Sequence, residues 1–169
     1  MGKAMKTEKG RRAIGAVKIT VIVVCLATVI ISAMFFAVKS ILKAEFPMKY
    51  QDKISLYAET YGVPEDLLYG VIHTESGYDE KAKSHAGAIG LTQITPETFL
   101  WLQTKTGETL PEEALYDADT SVKYCAVFYG LLLKEFGGDE KTAIAAYHAG
   151  RGQVNAWLRD PDISPDGKT

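Results

Sequence analysis

The sequence predicts a mainly α-helical domain preceded by one N-terminal transmembrane helix. Three observations carry that expectation. Twenty consecutive residues, Ile19 to Val38, hold no charged side chain. Beyond them, apolar residues recur at helical spacing between glycine and proline stops. Alternating strand patterns are nearly absent, and no internal repeat is visible.

Composition agrees with one ordinary domain. The chain has 169 residues, 47% hydrophobic and 24% charged, with net charge −2. Those values exclude disorder throughout, a collagen-like chain and a disulfide-stapled miniprotein. No basic excess argues for nucleic acid as a partner. The averages conceal a sharp split near residue 39.

Residues 1–18 carry Lys3, Lys6, Lys9, Arg11, Arg12 and Lys18 against Glu8, a balance of +5, which leaves −7 for the rest of a chain of net charge −2. Residues 19–38, at ~1.5 Å rise, match the ~30 Å hydrocarbon core of a bilayer. Basic residues before the run keep the N-terminus in the cytoplasm and send the rest of the chain outside. A cleaved signal has a shorter apolar region, about 7–15 residues, ending in an A-x-A-like site. Ile31-Ser32-Ala33 and Val38-Lys39-Ser40 are poor versions of that site, so the segment reads as an uncleaved anchor. Lys6 stands where a myristoylation signal wants Ser or Thr. An acidic outer domain is repelled by anionic wall polymers, so retention falls to the anchor. Cys25 in the membrane run and Cys125 beyond it lie in separate compartments; Cys125, in an apolar stretch, reads as a small core residue.

Residues 39–49 read as a tether containing Pro47, 50–158 as the folded domain, and 159–169 as a fraying tail with two prolines and three aspartates. Within the domain, Tyr50, Ile54, Tyr57 and Tyr61 mark a helix stopped by Gly62. Pro64 opens a second, with Leu68, Val71 and Ile72 as its stripe and Ser76-Gly77 as its end. Gly87 to Gly90 form a loop before Thr95-Pro96-Glu97, the N-cap and first turn of a third helix running to about Lys105. A longer helix covers about Thr120 to Phe136 and stops at Gly137-Gly138. Another runs from near Asp139 to Ala149-Gly150, and a short one covers Val154 to Leu158.

Glu75 lies three, four and seven positions after Ile72, Val71 and Leu68, so a helix puts all four on one face. A carboxyl ending an apolar stripe is pushed toward its protonated form. Such a group can donate a proton to a glycosidic oxygen.

The surrounding residues are more specific. The stretch Glu75-Ser76-Gly77-Tyr78-Asp79, then Ala82, Ser84, Gly87-Ala88, Gly90-Leu91-Thr92-Gln93-Ile94 and Pro96, resembles the lytic transglycosylases of the SLT (soluble lytic transglycosylase-like) family. Ala145-Ala146-Tyr147-His148-Ala149-Gly150 is similar to that family's Ala-Tyr-Asn-Ala-Gly motif, and Gly152, Val154 and Trp157-Leu158 continue in its style. The likeness covers about residues 50–158.

The resemblance implies a lysozyme-like fold and cleavage of the β-1,4 bond between N-acetylmuramic acid and N-acetylglucosamine in peptidoglycan. It makes Glu75 the sole catalytic carboxylate, with a 1,6-anhydro product and no cofactor. It gives Ser84, Gln93, Tyr147 and His148 contact with the sugar or with the glutamate. The partners it implies are peptidoglycan glycan strands and, through residues 19–38, the membrane. Wall-spanning secretion or conjugation machinery is a common setting for small anchored members.

Three departures stand out. His148 replaces the motif's asparagine; both donate one hydrogen bond, but a histidine can also become charged. Asp117-Ala118-Asp119-Thr120-Ser121 stands in place of Asp-Pro-x-x-Asn. A final helix with a Thr-Arg-Asn-Tyr-like motif has no counterpart before Thr169. Two alternatives stay open: a lysozyme-type hydrolase using Asp79 or Glu80 as second acid, and a non-catalytic glycan-binding or assembly factor. His73, His85 and His148 lack metal-ligand spacing, so no metal is expected. His73-Thr74-Glu75 lacks the Pro-Cys-x-x-Cys of zinc deaminases.

Overall fold

The computed structural model describes the backbone of residues 2–45 and 48–168, with side chains of the first helix described at 18 and 21–42. Pro47, Thr169 and the side chains of Lys3, Lys6, Glu8, Lys9, Arg11 and Arg12 lie outside the described residues. The chain divides into two units, 1–47 and 48–169.

The first unit is one helix, α1 (Gly2–Glu45). Its apolar span runs over Val21–Leu42, 22 residues, none of it covered by protein. Thr28, inside that span, turns its hydroxyl back onto the Cys25 carbonyl at 2.8 Å. That bond satisfies the hydroxyl without water, as a bilayer requires. The helix continues past residue 38 into the stretch expected to be a tether. Nothing between Lys39 and Glu45 is a helix breaker, and the first proline, Pro47, comes after the helix ends.

The second unit is mainly helical, as the spacing predicts. Its elements are α2 (Gln51–Tyr61), α3 (Glu65–Ser76), α4 (Pro96–Thr106), a 3-10 turn (Glu112–Tyr116), α5 (Ala118–Glu135), α6 (Glu140–Ala149) and α7 (Arg151–Trp157). The β structure among the described residues is two isolated bridges, Lys83 with Ile89 and Ile89 with Ile94. The 3-10 turn is absent from the sequence expectation, because five residues without a periodic stripe give no helical signal. The long helix starts two residues early because Asp117, rather than a later residue, caps it: its carboxylate accepts the Thr120 N–H at 2.9 Å. Thr95 and Asp139 cap α4 and α6 in the same way.

The axis of the unit is α5. Tyr124 through Tyr129 are buried without interruption, so this helix is surrounded on all sides. It packs against α2, α3, α4, α6 and the 3-10 turn. Tyr124 meets Phe99 of α4 edge-on at 4.5 Å between ring centres, a pairing worth ~0.5–1.5 kcal/mol beyond its burial. Leu68 and Ile72 of α3 are fully buried, each worth roughly 1.5–3 kcal/mol. These contacts fix where α3 ends, and Glu75 lies in its last turn.

The tail does not fray. Residues 159–168 fold as successive turns in which Ser164 is 3% exposed and its N–H donates to the Asp160 carbonyl at 2.8 Å. Aspartate and proline there act as turn formers, a use that the lack of an apolar stripe conceals.

Gly90 is the tightest backbone position. Its φ is +75°, and a Cβ there would collide with the Leu115 carbonyl of the 3-10 turn. Gly90→Ala is therefore expected to destabilise the domain by about 2–4 kcal/mol. Thermal unfolding of the detergent-solubilised chain measures it; a Tm within 1 °C of wild type would refute the tight packing, on the scale of about 4–8 °C per kcal/mol for small domains.

Candidate active site

The site is built where three segments meet: the last turn of α3, the loop 82–94, and the C-terminal end of α6. Leu68, Val71 and Ile72 are buried at 0%, 5% and 0% exposure, and the Glu75 side chain that ends their stripe is 19% exposed. Gly77, at φ +59°, stops the helix two residues later and closes it with an N–H to the His73 carbonyl.

Ser76 anchors that end of the helix. Its hydroxyl lies 2.8 Å from the Leu91 carbonyl, to which it donates, and 3.2 Å from the Ile72 carbonyl. The residue beside Glu75 is thus tied to the loop across fifteen positions of sequence. The Glu-Ser pair was the signal for it in the sequence, though Ser76 carried no role there.

The loop holds itself together with side chains. Ser84 Oγ accepts the Ala88 N–H at 3.0 Å, and Ser84 and Ala88 also pair through their backbones. Gln93, at φ +51°, donates its amide nitrogen to the Gly90 carbonyl at 2.9 Å and the Ala82 carbonyl at 3.3 Å. Thr92 is fully buried, with its hydroxyl 3.0 Å from that of Ser121. Ser121 ends the segment that departs from the family's pattern, and it fastens the loop to α5.

From α6, Tyr147 donates its hydroxyl to the Thr92 carbonyl at 2.7 Å. Its ring stacks on Tyr129 at 4.5 Å with planes 9° apart. Burial holds the Tyr147 hydroxyl well above the usual phenol range, so it remains a donor. Behind it, burial pushes the Cys125 thiol up to about 12, which fits an inert core residue.

His148 meets the carboxyl directly: its Nδ1 is 3.0 Å from Glu75 Oε1. The imidazole is 45% exposed and lines a cavity of about 340 Å³ with Gly70, Thr74 and Tyr129. A second cavity of about 310 Å³ lies at Trp101, Phe128, Tyr147 and Arg151. His148 lines the first and its neighbour Tyr147 the second.

Burial raises the Glu75 carboxyl above its ordinary range, and the imidazole of His148 partly counters this. Among the described residues, burial and His148 are what shift it. Asp79 accepts the Lys81 N–H at 2.9 Å in a turn, and Glu80 accepts the Tyr50 hydroxyl at 2.9 Å. Of the residues predicted for the site, Glu75 and His148 touch and Tyr147 is braced beside them. Ser84 and Gln93 hold the loop, and no hydrogen bond joins either to Glu75 among the described residues. No group of three or more His, Cys, Asp or Glu fit to hold a metal occurs among the described residues.

Residues 52–167 match the transglycosylase SLT domain family. The chain belongs to that family. The match runs through the tail, beyond the residue 158 at which the motif likeness ends. The soluble lytic murein transglycosylase of Escherichia coli (strain K12) is 30% identical over 120 residues, covering 69% of this chain and 18% of that protein. The membrane-bound lytic murein transglycosylase C of Haemophilus influenzae (strain PittEE) is 31% identical over 128 residues, covering 69% of this chain and 36% of that protein. Among solved structures, an inactive mutant of the lytic transglycosylase Slt from Pseudomonas aeruginosa superposes with TM-score 0.67 at 29% identity, over 70% of this chain and 20% of that one. The 70 kDa soluble lytic transglycosylase of Escherichia coli gives TM-score 0.69 at 27% identity, over 75% and 20%. The chain therefore spans about a fifth of the soluble relatives and about a third of the membrane-bound one.

The raised Glu75 carboxyl has a thermodynamic consequence. A carboxyl whose folded pKa exceeds its unfolded value adds stability at low pH, and that contribution is lost as pH rises through the folded value. Glu75→Gln, which cannot ionise, should raise Tm relative to wild type, and more at pH 7 than at pH 4. Calorimetry at the two pH values checks it; an equal or smaller gain at pH 7 would refute the burial penalty.

Proposed function

We propose that this chain is a membrane-anchored peptidoglycan lytic transglycosylase. It cleaves the β-1,4 bond between N-acetylmuramic acid and N-acetylglucosamine and leaves 1,6-anhydro-muramic acid ends. The observation that carries the reading is the placement of one carboxyl: Glu75 ends an apolar stripe, is raised by burial, and has the imidazole of His148 as its ionic contact among the described residues. Most glycosidases that hydrolyse with water use two carboxyl groups about 5–9.5 Å apart. Asp79 and Glu80, the candidates for a second acid, are engaged in a turn and with Tyr50.

One carboxyl suffices when the substrate supplies its own nucleophile. Protonated Glu75 gives its proton to the glycosidic oxygen as the bond to C1 breaks, and N-acetylglucosamine departs as an alcohol. Glu75, now a carboxylate, takes the proton of the muramic acid C6 hydroxyl, whose oxygen closes on C1. The carboxyl is regenerated and no water is consumed. In this reading Ser84, Gln93 and Tyr147 keep the loop and α6 in the shape that receives the glycan. His148 sits beside the carboxyl that reacts. No cofactor is required.

The N-terminal helix supports the anchoring. Val21–Leu42 is long and apolar enough to cross a bilayer and is uncovered by protein. With the basic residues before it, the N-terminus lies in the cytoplasm and the catalytic unit outside.

Two measurements test these readings. Glu75→Gln should lower muropeptide release by about 10²–10⁴-fold while glycan binding persists. Mass spectrometry of the wild-type digest should find products one water lighter than hydrolysis gives. Reducing ends would reassign the enzyme as a lysozyme-type hydrolase, and glycan binding without release would make it a binding factor. On fractionation, the protein should stay with membranes after a high-salt wash. Recovery of a soluble form beginning near residue 34 or 41 would reveal a cleaved signal.

A further inference from the structure

The residue that departs from the family's motif is the one that touches the carboxyl. His148 Nδ1 and Glu75 Oε1 are 3.0 Å apart, the distance of a hydrogen bond to an ionised or neutral carboxyl. An asparagine at this position could donate a similar bond but could never carry charge. The imidazole can carry charge, and its 45% exposure lets protons from solvent reach it.

We infer that His148 is a positioning residue for Glu75 whose charged form keeps that carboxyl ionised, so that the general acid is available only in mildly acidic surroundings. The inference rests on the lytic reading of the site. Neutral His148 donates Nδ1–H to Oε1 and leaves Oε2 as the oxygen that meets the glycosidic bond. A charged imidazole beside Oε1 favours the carboxylate, which cannot donate, so the acid form of Glu75 requires more acidic surroundings than burial alone would set.

Other titratable groups share the cavity with His148. Asp66 of α3 and Glu140 of α6, both acidic, line it. Tyr129 of α5 lines it as well, and burial holds its hydroxyl far above the usual phenol range, so it stays neutral. The Tyr147 ring meets the imidazole edge-on at 5.9 Å and is likewise neutral. Arg151, at the start of α7, is turned to Glu135 at 3.3 Å and does not oppose the charge.

The compensation is in acid strength. Once both groups are protonated, the imidazolium stabilises the carboxylate that forms as Glu75 gives up its proton. His148 thus exchanges a wide pH range for a stronger acid within a narrow one.

The test uses the full chain in detergent micelles, with soluble glycan strands as substrate between pH 4.5 and 8. Two readouts are followed in wild type, His148→Asn and His148→Gln: kcat/KM, and the Glu75 carboxyl titration by ¹³C NMR, assigned with Glu75→Gln. Both uncharged variants should move the two midpoints upward together. At pH 7, His148→Asn should keep about tenfold more of its pH 5 activity than wild type keeps. His148→Gln should show the same displacement even where its longer side chain lowers kcat. A rise in KM with both midpoints unmoved would put His148 on the sugar and overturn the inference. Should wild type release no muropeptides at any pH, the lytic reading fails, and the carboxyl titration alone decides on the pairing.

Discussion

Everything in the second unit is arranged around one unfavourable act, the placing of a carboxyl at the end of an apolar stripe. Glu75 follows Leu68, Val71 and Ile72 on the buried face of α3, and burial works against its charge. The same residues at solvent-facing positions would give an ordinary surface glutamate. The position is enforced by α5, against which α3 packs and whose buried stretch from Tyr124 to Tyr129 resists rotation of α3. Stability is concentrated in the α5 core, and the strained chemical group is held at its margin.

A group that must meet a reacting bond also has to be held laterally, and apolar packing does that poorly. The site answers with hydrogen bonds across long separations. Ser76 holds Leu91, Tyr147 holds Thr92, and Thr92 meets Ser121, so α3, the loop, α6 and α5 are joined through two adjacent residues of the loop. The Tyr147 ring is fixed from its face by Tyr129, which leaves its hydroxyl one direction to point. A network of this kind is worth more as geometry than as energy, since each net bond contributes only about 0.5–1.5 kcal/mol.

Much of this was legible in the sequence, for reasons that separate local from long-range information. Helix ends at Gly62 and Gly77 follow from glycine's tolerance of the left-handed backbone, and the start of α4 from the Thr95-Pro96 cap. The face carrying Glu75 follows from helical period alone. The fraying expected of residues 159–168 failed because turns built from Asp and Pro need no stripe, and the helix through Lys39–Glu45 was hidden by the end of the apolar run. Two features had no local trace. The bracing roles of Ser84 and Gln93 depend on where carbonyls of Ala82 and Gly90 lie in space. Contact of His148 with Glu75 depends on α6 crossing the end of α3, seventy-three positions away in the chain.

In the proposed mechanism that contact bears on the central demand of one-carboxylate chemistry. A single group must give a proton in one step and take one in the next, so its affinity for protons has to suit both. Burial alone favours the protonated form of Glu75, which makes a better base and a weaker acid. An imidazole 3.0 Å away, when charged, pulls in the opposite direction and makes the acid stronger at the expense of the base. With asparagine, the balance would be struck by burial and a fixed dipole, the same at every pH. With histidine, it depends on whether the imidazole itself carries a proton. The acidity of the surroundings then enters the proposed reaction twice, through the acid and through the residue that holds it.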